Sequence, residues 1–320
     1  MGVAPSRQEL EAEDCWESGD HVPRDPVTTA FRRRVRLQQA RWREANGLPI
    51  GSQPMVPKAG VPVRRVGSRL PLDLARESGA NFVTPGAFAA AQARMSYIER
   101  QQSLDGQGLW ADLLSKVALS FNLFGDLADD LGAADRAVRT WWPDTPGPVS
   151  GVRFAHSPGR LDPAYIGNLC AFDAAFTLDL GEERTGMVAV RTAFHDVNRR
   201  QAPKPARLAR YVEVTERSGI FRPGWLDPVN GTELIHIWLE HALLLSMLQH
   251  PDDPCSWGRY VVVHPAGNAN FASACARYRD LLADPSTFTA LTIEELLAGD
   301  GLPDATVAAF TSRYLPMGGD

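Results

Sequence analysis

The chain has 320 residues, enough for one large domain or two ordinary ones, and its 44% hydrophobic and 22% charged content is that of a soluble globular protein. A net charge of -5 argues against a protein that coats DNA over its whole surface, although local basic surfaces remain open. No apolar run approaches the ~20 residues that span a bilayer. The four scattered cysteines form no C-x-x-C pair, which points away from zinc and disulfides and toward a reducing cytoplasm.

Residues 1–27 are polar and acidic, lack periodicity and have no signal-peptide apolar core, so they read as a loose tail. Their "MGVAPS" fits the N-myristoylation pattern, but Pro5 and the missing basic flank discount it. A helix is expected over about Val27 to Asn46, ended by the turn residues "NGLP". The Pro- and Gly-rich "GSQPMVPKAGVPVRRVGSRLP" follows as an extended linker or wrapping arm, so residues 28–84 read as a helical arm with linker. Thr84 and Pro85 then supply a helix start. "GLWADLLSKVALSFNLFGDLADD" reads as one helix, with Leu109, Leu113, Val117, Phe121 and Phe124 near a 3.6-residue period. A short strand is expected at Val152 to Ala155, followed by a hairpin over "FDAAFTLDLGEERTGMVAVRTAFHD", Phe172 to Asp196. "KPARLARYVEVTERSG" is helical and closes on Gly219, and a long apolar helix runs from about Gly231 to Gln249. "WGRYVVVHP" is a buried strand, "ANFASACARYRDLLAD" a helix, and "LTIEELLAGDGLP" a last short helix capped by Thr292. The succession of helix, hairpin, helix, strand and helix specifies an α/β, or α+β mixed, class: a small mixed sheet flanked by helices.

Common site motifs are absent: there is no G-x-S-x-G, no G-x-G-x-x-G and no P-loop. "HIWLEH" tempts toward zinc, but His236 and His241 are five residues apart, about 140° around a helix, so they read as structural histidines. "HPAGNAN" reads as a strand-to-helix turn that could also bind an anion. Two basic runs stand out, "FRRRVRLQQARWR" at residues 31–43 and "NRRQAPKPARLAR" at residues 198–210. The ordinary reading of each is a solvated helix face.

The hairpin carries more. Alternation puts Asp173 and Ala175 on one face of its first strand, and Met187, Ala189, Arg191, Ala193 and His195 on one side of its second. A magnesium nuclease needs carboxylates converging from two adjacent strands to hold the ion, and a lysine to stabilise charge beside the attacking water.

On the segments "RWREANGLPIG", "NFVTP", "LWADLLSKVALSFNLFGDL", "RLDPAYIGNLCAFDAAFTL", "GMVAVRTAFHD", "LARYVEVTERSGIF" and "WGRYVVVHPAGNANFASACARYRDLL", the chain resembles a bacterial family of restriction endonuclease-like proteins with the PD-(D/E)XK nuclease fold. The likeness runs from about residue 30 to 300. It implies a restriction endonuclease-like core, placed at residues 85–315, a metal-dependent hydrolase activity on DNA, and Mg2+ or Mn2+ as cofactor. It also implies that Asp173 is the metal-binding acid. The family's Glu-x-Lys falls on Arg191 and Ala193, followed by Phe194, His195 and Asp196. Arginine cannot ligate magnesium, and alanine brings no charge to a transition state.

Two functions follow as expectations. One is a divergent DNA endonuclease using Asp173, with His195 or Asp196 in altered roles and Asp112 as an added carboxylate. The other is a catalytically dead relative that binds nucleic acid or a partner protein. Asp179 shares the face of Asp173 nearer the turn, and Glu182 and Glu183 belong to the turn itself. Arg199, Arg200, Lys204, Arg207 and Arg210, directly after the hairpin, are expected to grip backbone phosphates. DNA is the expected partner, a homodimer is compatible with the chain, and recruitment to a role without nucleic acid stays open.

Overall fold

The structure, a computed structural model, describes residues 4–17, 26–102 and 104–315. Residues 18–25 of the expected tail, and Gly2 of the acylation pattern, lie outside the described residues. The chain separates into two compact units, one comprising Met1–Met95, Asp105–Asp126 and Pro303–Asp320, the other Ser96–Leu104 and Leu127–Leu302.

The first unit is mainly helical. Helix α1 (Arg7–Ala12) starts in a capping box in which Ser6 and Glu9 satisfy each other's backbone groups. Where composition suggested a loose tail, Leu10 and Cys15 are buried against Leu37 and Ala40. Those two residues belong to α2 (Pro26–Ala45), within a residue of the expected helix. The Pro- and Gly-rich segment contains a small antiparallel pair, β1 (Gly51–Gln53) and β2 (Arg64–Val66). Helix α3 (Leu72–Ser78) closes on Gly79, whose φ of 68° is the left-handed cap that glycine adopts without strain. Helix α4 (Pro85–Met95) begins at the expected cap, with Thr84 Oγ1 accepting from the Ala87 backbone. The long helix expected next is broken in two, α5 (Gly106–Ala111) and α6 (Lys116–Phe124). Asp112 turns the backbone extended at ψ 110°, and Ser115 then caps a fresh start. A run of correct helical periodicity thus hides a break that local side-chain caps create.

The second unit holds the sheet. Helix α7 (Leu131–Trp141), capped by Asp130, leads into β3 (Val149–His156), β4 (Phe172–Asp179) and β5 (Thr185–Thr192). Helices α8 (Pro205–Ser218), α9 (Leu226–Val229) and α10 (Ile235–Leu248) precede β6 (Cys255–His264). Then follow α11 (Ala269–Asp280), β7 (Phe288–Thr292) and α12 (Ile293–Ala298), while α13 (Asp304–Tyr314) returns to the first unit. The strands form one five-stranded sheet in the order β3-β4-β5-β6-β7. The first three make an antiparallel meander, and β5, β6 and β7 run parallel, each joined to the next through helices.

The sheet is covered on both faces. Trp141 of α7 meets Phe176 on one side, with ring centroids 6.5 Å apart. On the other, Ala175, Met187, Ala189, Tyr260 and Val262 share an apolar cluster with Tyr211, Trp238, Leu243 and Phe271. Helix α10 is buried almost all round, as its apolar sequence requires, and Gly258 of β6 leaves room for Leu244 against the strand. This mixed α/β architecture is the restriction endonuclease-like core expected from the sequence.

Candidate functional site

The register of β4 and β5 pairs Ala174 with Val190, so Asp173 and Arg191 are the next residues in step on the other face of the sheet. Asp173 is held by its neighbour strand: its Oδ2 accepts from the Thr192 backbone N–H at 2.8 Å and from the Thr192 hydroxyl at 3.3 Å. Arg191 is only 8% exposed. Its Nη1 donates to Glu240 Oε1 of α10 at 2.7 Å, and its guanidinium lies over the Phe271 ring, 5.5 Å from the centroid. The second Glu240 oxygen accepts from the hydroxyl of Tyr260 on β6 at 2.9 Å.

Burial alone would depress the Arg191 pKa, but the Glu240 charge, followed by Tyr260, Asp173 and Asp196, holds it above its ordinary value, so the residue is a permanent cation. Burial, with the Glu240 charge beside it, pushes the Tyr260 phenol well up, which keeps it a donor to that carboxylate. The whole arrangement is a buried arginine with acids around it, satisfied mainly by an acid the hairpin does not contain.

The remaining expected site residues separate. Ala193 is fully buried in the apolar cluster, and its N–H still bonds to Val263 of β6 at 2.8 Å. Strand β5 ends at Thr192, so the alternation expected to run on to His195 stops there. Phe194 and His195 lie in a bend instead, with Asp196 directly after it, because Asp196 Oδ2 accepts from the Phe194 N–H and the Asn268 side chain donates to the Phe194 and Asp196 carbonyls. Asn268 also caps α11, so the "HPAGNAN" turn serves to fasten the segment after β5. Asp179 is exposed at the far end of β4, where it accepts from Gly181 N in the hairpin turn with Glu182 and Glu183. Asp112 lies in the first unit, in an ion pair with Arg69 at 3.6 Å. His241 is a core histidine, as its spacing suggested: Tyr278 and Thr287 take its two ring nitrogens, and burial lowers its pKa to about 3.

The two basic runs differ in kind. In α2, Arg36 is buried and pairs with Glu17, Arg43 donates to the Gly67 and Leu48 carbonyls, and Arg33 lies over Trp16. After β5, Arg199, Arg200 and Lys204 are exposed, with Arg200 reaching Glu233 at 3.2 Å. Arg207 is half-buried. Arg210 is spent internally, its Nε and Nη2 donating to the Tyr165 and Ala164 carbonyls of the loop before β4.

Glu240 and Tyr260 are the residues that hairpin reasoning missed. The available signal was an acid set in an otherwise apolar helix, since a buried carboxylate demands a partner.

Magnesium, implied by the resemblance, demands oxygen ligands in near-octahedral order and keeps several waters. The donors here do not fit it. One Asp173 oxygen is taken by Thr192, both Glu240 oxygens are engaged, and a fixed positive charge sits beside them. Among the described residues no group of three or more His, Cys, Asp or Glu is arranged to hold a metal ion.

No curated protein and no solved structure matches the chain. One family does: the PD-(D/E)XK nuclease superfamily matches residues 24–316, nearly the whole chain. With the antiparallel meander and its parallel extension in agreement with it, the chain belongs to the PD-(D/E)XK nuclease superfamily.

Proposed function

We propose that this protein binds DNA on the fold of a nuclease and has given up magnesium-dependent hydrolysis at the hairpin. The observation that carries this is the Arg191–Glu240 pair, which puts a buried guanidinium where the second metal-binding carboxylate would stand. A cation there repels a metal and supplies no ligand. The DNA contact rests on Arg199, Arg200 and Lys204, exposed immediately beyond the hairpin and able to meet backbone phosphates. Arg210 holds the loop before β4 in place and contributes positioning.

The test is duplex binding measured across salt. Each phosphate contact adds about 0.9 to the slope of log K against log salt. Replacing Arg199, Arg200 and Lys204 together with alanine should flatten that slope by roughly 2 to 3. An unchanged slope sinks this surface as the DNA contact.

A second reading has one observation in its favour: Asp173 and Asp196 both act electrostatically on Arg191 and help hold its pKa up. In that reading the protein is a divergent endonuclease using Asp173 and Asp196, with His195 as base. It requires cleavage that disappears with Asp173→Ala.

A further inference from the structure

Arg191 does more than interrupt a family pattern, because its surroundings are built for it from four elements. The ladder of β4 and β5 sets it in step with Asp173. From α10, Glu240 receives its Nη1 at 2.7 Å, and from β6 the Tyr260 hydroxyl occupies the other Glu240 oxygen at 2.9 Å. From α11, the fully buried Phe271 ring covers the guanidinium at 5.5 Å. An apolar ring in this place excludes the water that a magnesium ion retains in its coordination sphere. Aromatic faces and carboxylates are the two environments that suit a guanidinium, and Arg191 has both.

We infer that Arg191 is the site's own cation, standing in for a divalent ion beside Asp173, and that Glu240 is the residue that locks it there. This rests on the reading that magnesium chemistry at the hairpin is lost, and it adds a specific consequence. The site cannot be returned to metal binding at Arg191 alone, because Arg191→Glu would leave Glu240 buried against a second carboxylate in a low-dielectric setting. Nor can Ala193→Lys follow simply, since Ala193 has no exposed surface and its surroundings are apolar. The latent cation site opens only when Glu240 is neutralised together with the arginine.

The experiment uses the full chain and Mn2+ itself as probe. Uptake is followed by the loss of the free-ion electron paramagnetic resonance signal, and folding by circular dichroism and thermal melting. The wild type should leave the Mn2+ signal unchanged and melt at the same temperature with Mn2+ or with chelator. The Arg191→Glu, Glu240→Gln double variant should take up Mn2+ and melt several degrees higher in its presence. Adding Asp173→Asn to that variant should abolish both effects. Mn2+ uptake by the wild type that Asp173→Asn removes would overturn the inference, as would a folded double variant that takes up none. If the double variant does not fold, Arg191→Met with and without Glu240→Gln decides the lock. The second change should recover most of the melting temperature lost to the first, and no recovery would overturn it. DNA affinity is not used in any of these readouts, so a failure of the DNA-binding reading would leave them standing and would appear as a flat salt dependence in the wild type.

Discussion

Two buried arginines, one in each unit, show how differently a protein can hold the same charge. Arg313 of α13 is fully buried and is held by neutral acceptors: the Gln39 side chain, the Asn81 carbonyl and side chain at 3.0, 2.6 and 2.7 Å, and the Leu113 carbonyl. It also lies between the rings of Trp42 and Tyr314, at 4.5 and 4.6 Å. Burial depresses its pKa, with only partial relief from Tyr314 and Asp112. Arg191 has the opposite balance, being held up by Glu240 and other acids. The first arginine is architecture, a hub tying α2, α13 and two carbonyl-bearing loops together. The second is held by a carboxylate, in step with Asp173 on the same face of the sheet, and the proposed loss of metal chemistry rests on it.

Removing one partner from each setting breaks the comparison most sharply. Arg191→Met leaves Glu240 its Tyr260 hydrogen bond but removes its charge partner, and should cost about 3 kcal/mol in urea unfolding, the low end for breaking a buried pair. Adding Glu240→Gln should return most of that loss. Simple additivity of the two changes would show that the pair is not coupled. Arg313→Met leaves several carbonyls without donors and should cost about 3 kcal/mol, with no single second change restoring it. Recovery of Arg313→Met by one partner substitution would erase the distinction between hub and pair.

Neither arginine titrates in an accessible range, so acid sensitivity should arise elsewhere, and His241 is the strongest source. Its folded pKa of about 3 lies below the ordinary value of 6.5, so as pH falls the unfolded chain takes up the proton first. Its contribution to stability is full above pH 6.5 and is lost between 6.5 and about 3. The slope is about 1.4 kcal/mol per pH unit within that window. Glu99 opposes burial through hydrogen bonds from His156 and Arg160 and is lowered to about 2 from 4.5, so its contribution is present above pH 4.5 and lost only below it. Urea unfolding between pH 6.5 and 4.5 therefore isolates His241, and His241→Gln should flatten the slope there. A wild-type stability that does not fall across that interval contradicts the burial of a neutral His241. The smallest effect is expected at the surface: Arg200→Ala should change stability by less than about 0.5 kcal/mol while lowering the salt slope of DNA binding by roughly 1.

Much of the fold was legible because its signals are local. The period-two pattern of β4 and β5, the Thr84 and Thr292 caps and the Gly219 stop all appear where composition and spacing put them. Strand β7 was not foreseen: "FTALT" is short and partly polar, and only its parallel pairing with β6 makes it a strand. Helices α7 and α13 also escaped, and the break between α5 and α6 was hidden by unbroken helical periodicity. At the site, the step between Asp173 and Arg191 follows from strand register alone. The partner of Arg191 does not, since Glu240 is 49 residues further along the chain on a helix that reads as plain core. The loss of phase after Thr192 was equally invisible, because it is imposed by Asn268, 72 residues from Asp196.

The most direct test of the account is a supercoiled-plasmid assay with Mg2+ and with Mn2+, comparing wild type with Asp173→Ala at equal, DNA-saturating concentrations. The account predicts that both proteins bind the plasmid and that neither nicks nor linearises it above the protein-free control. Cleavage by the wild type that Asp173→Ala abolishes would contradict it.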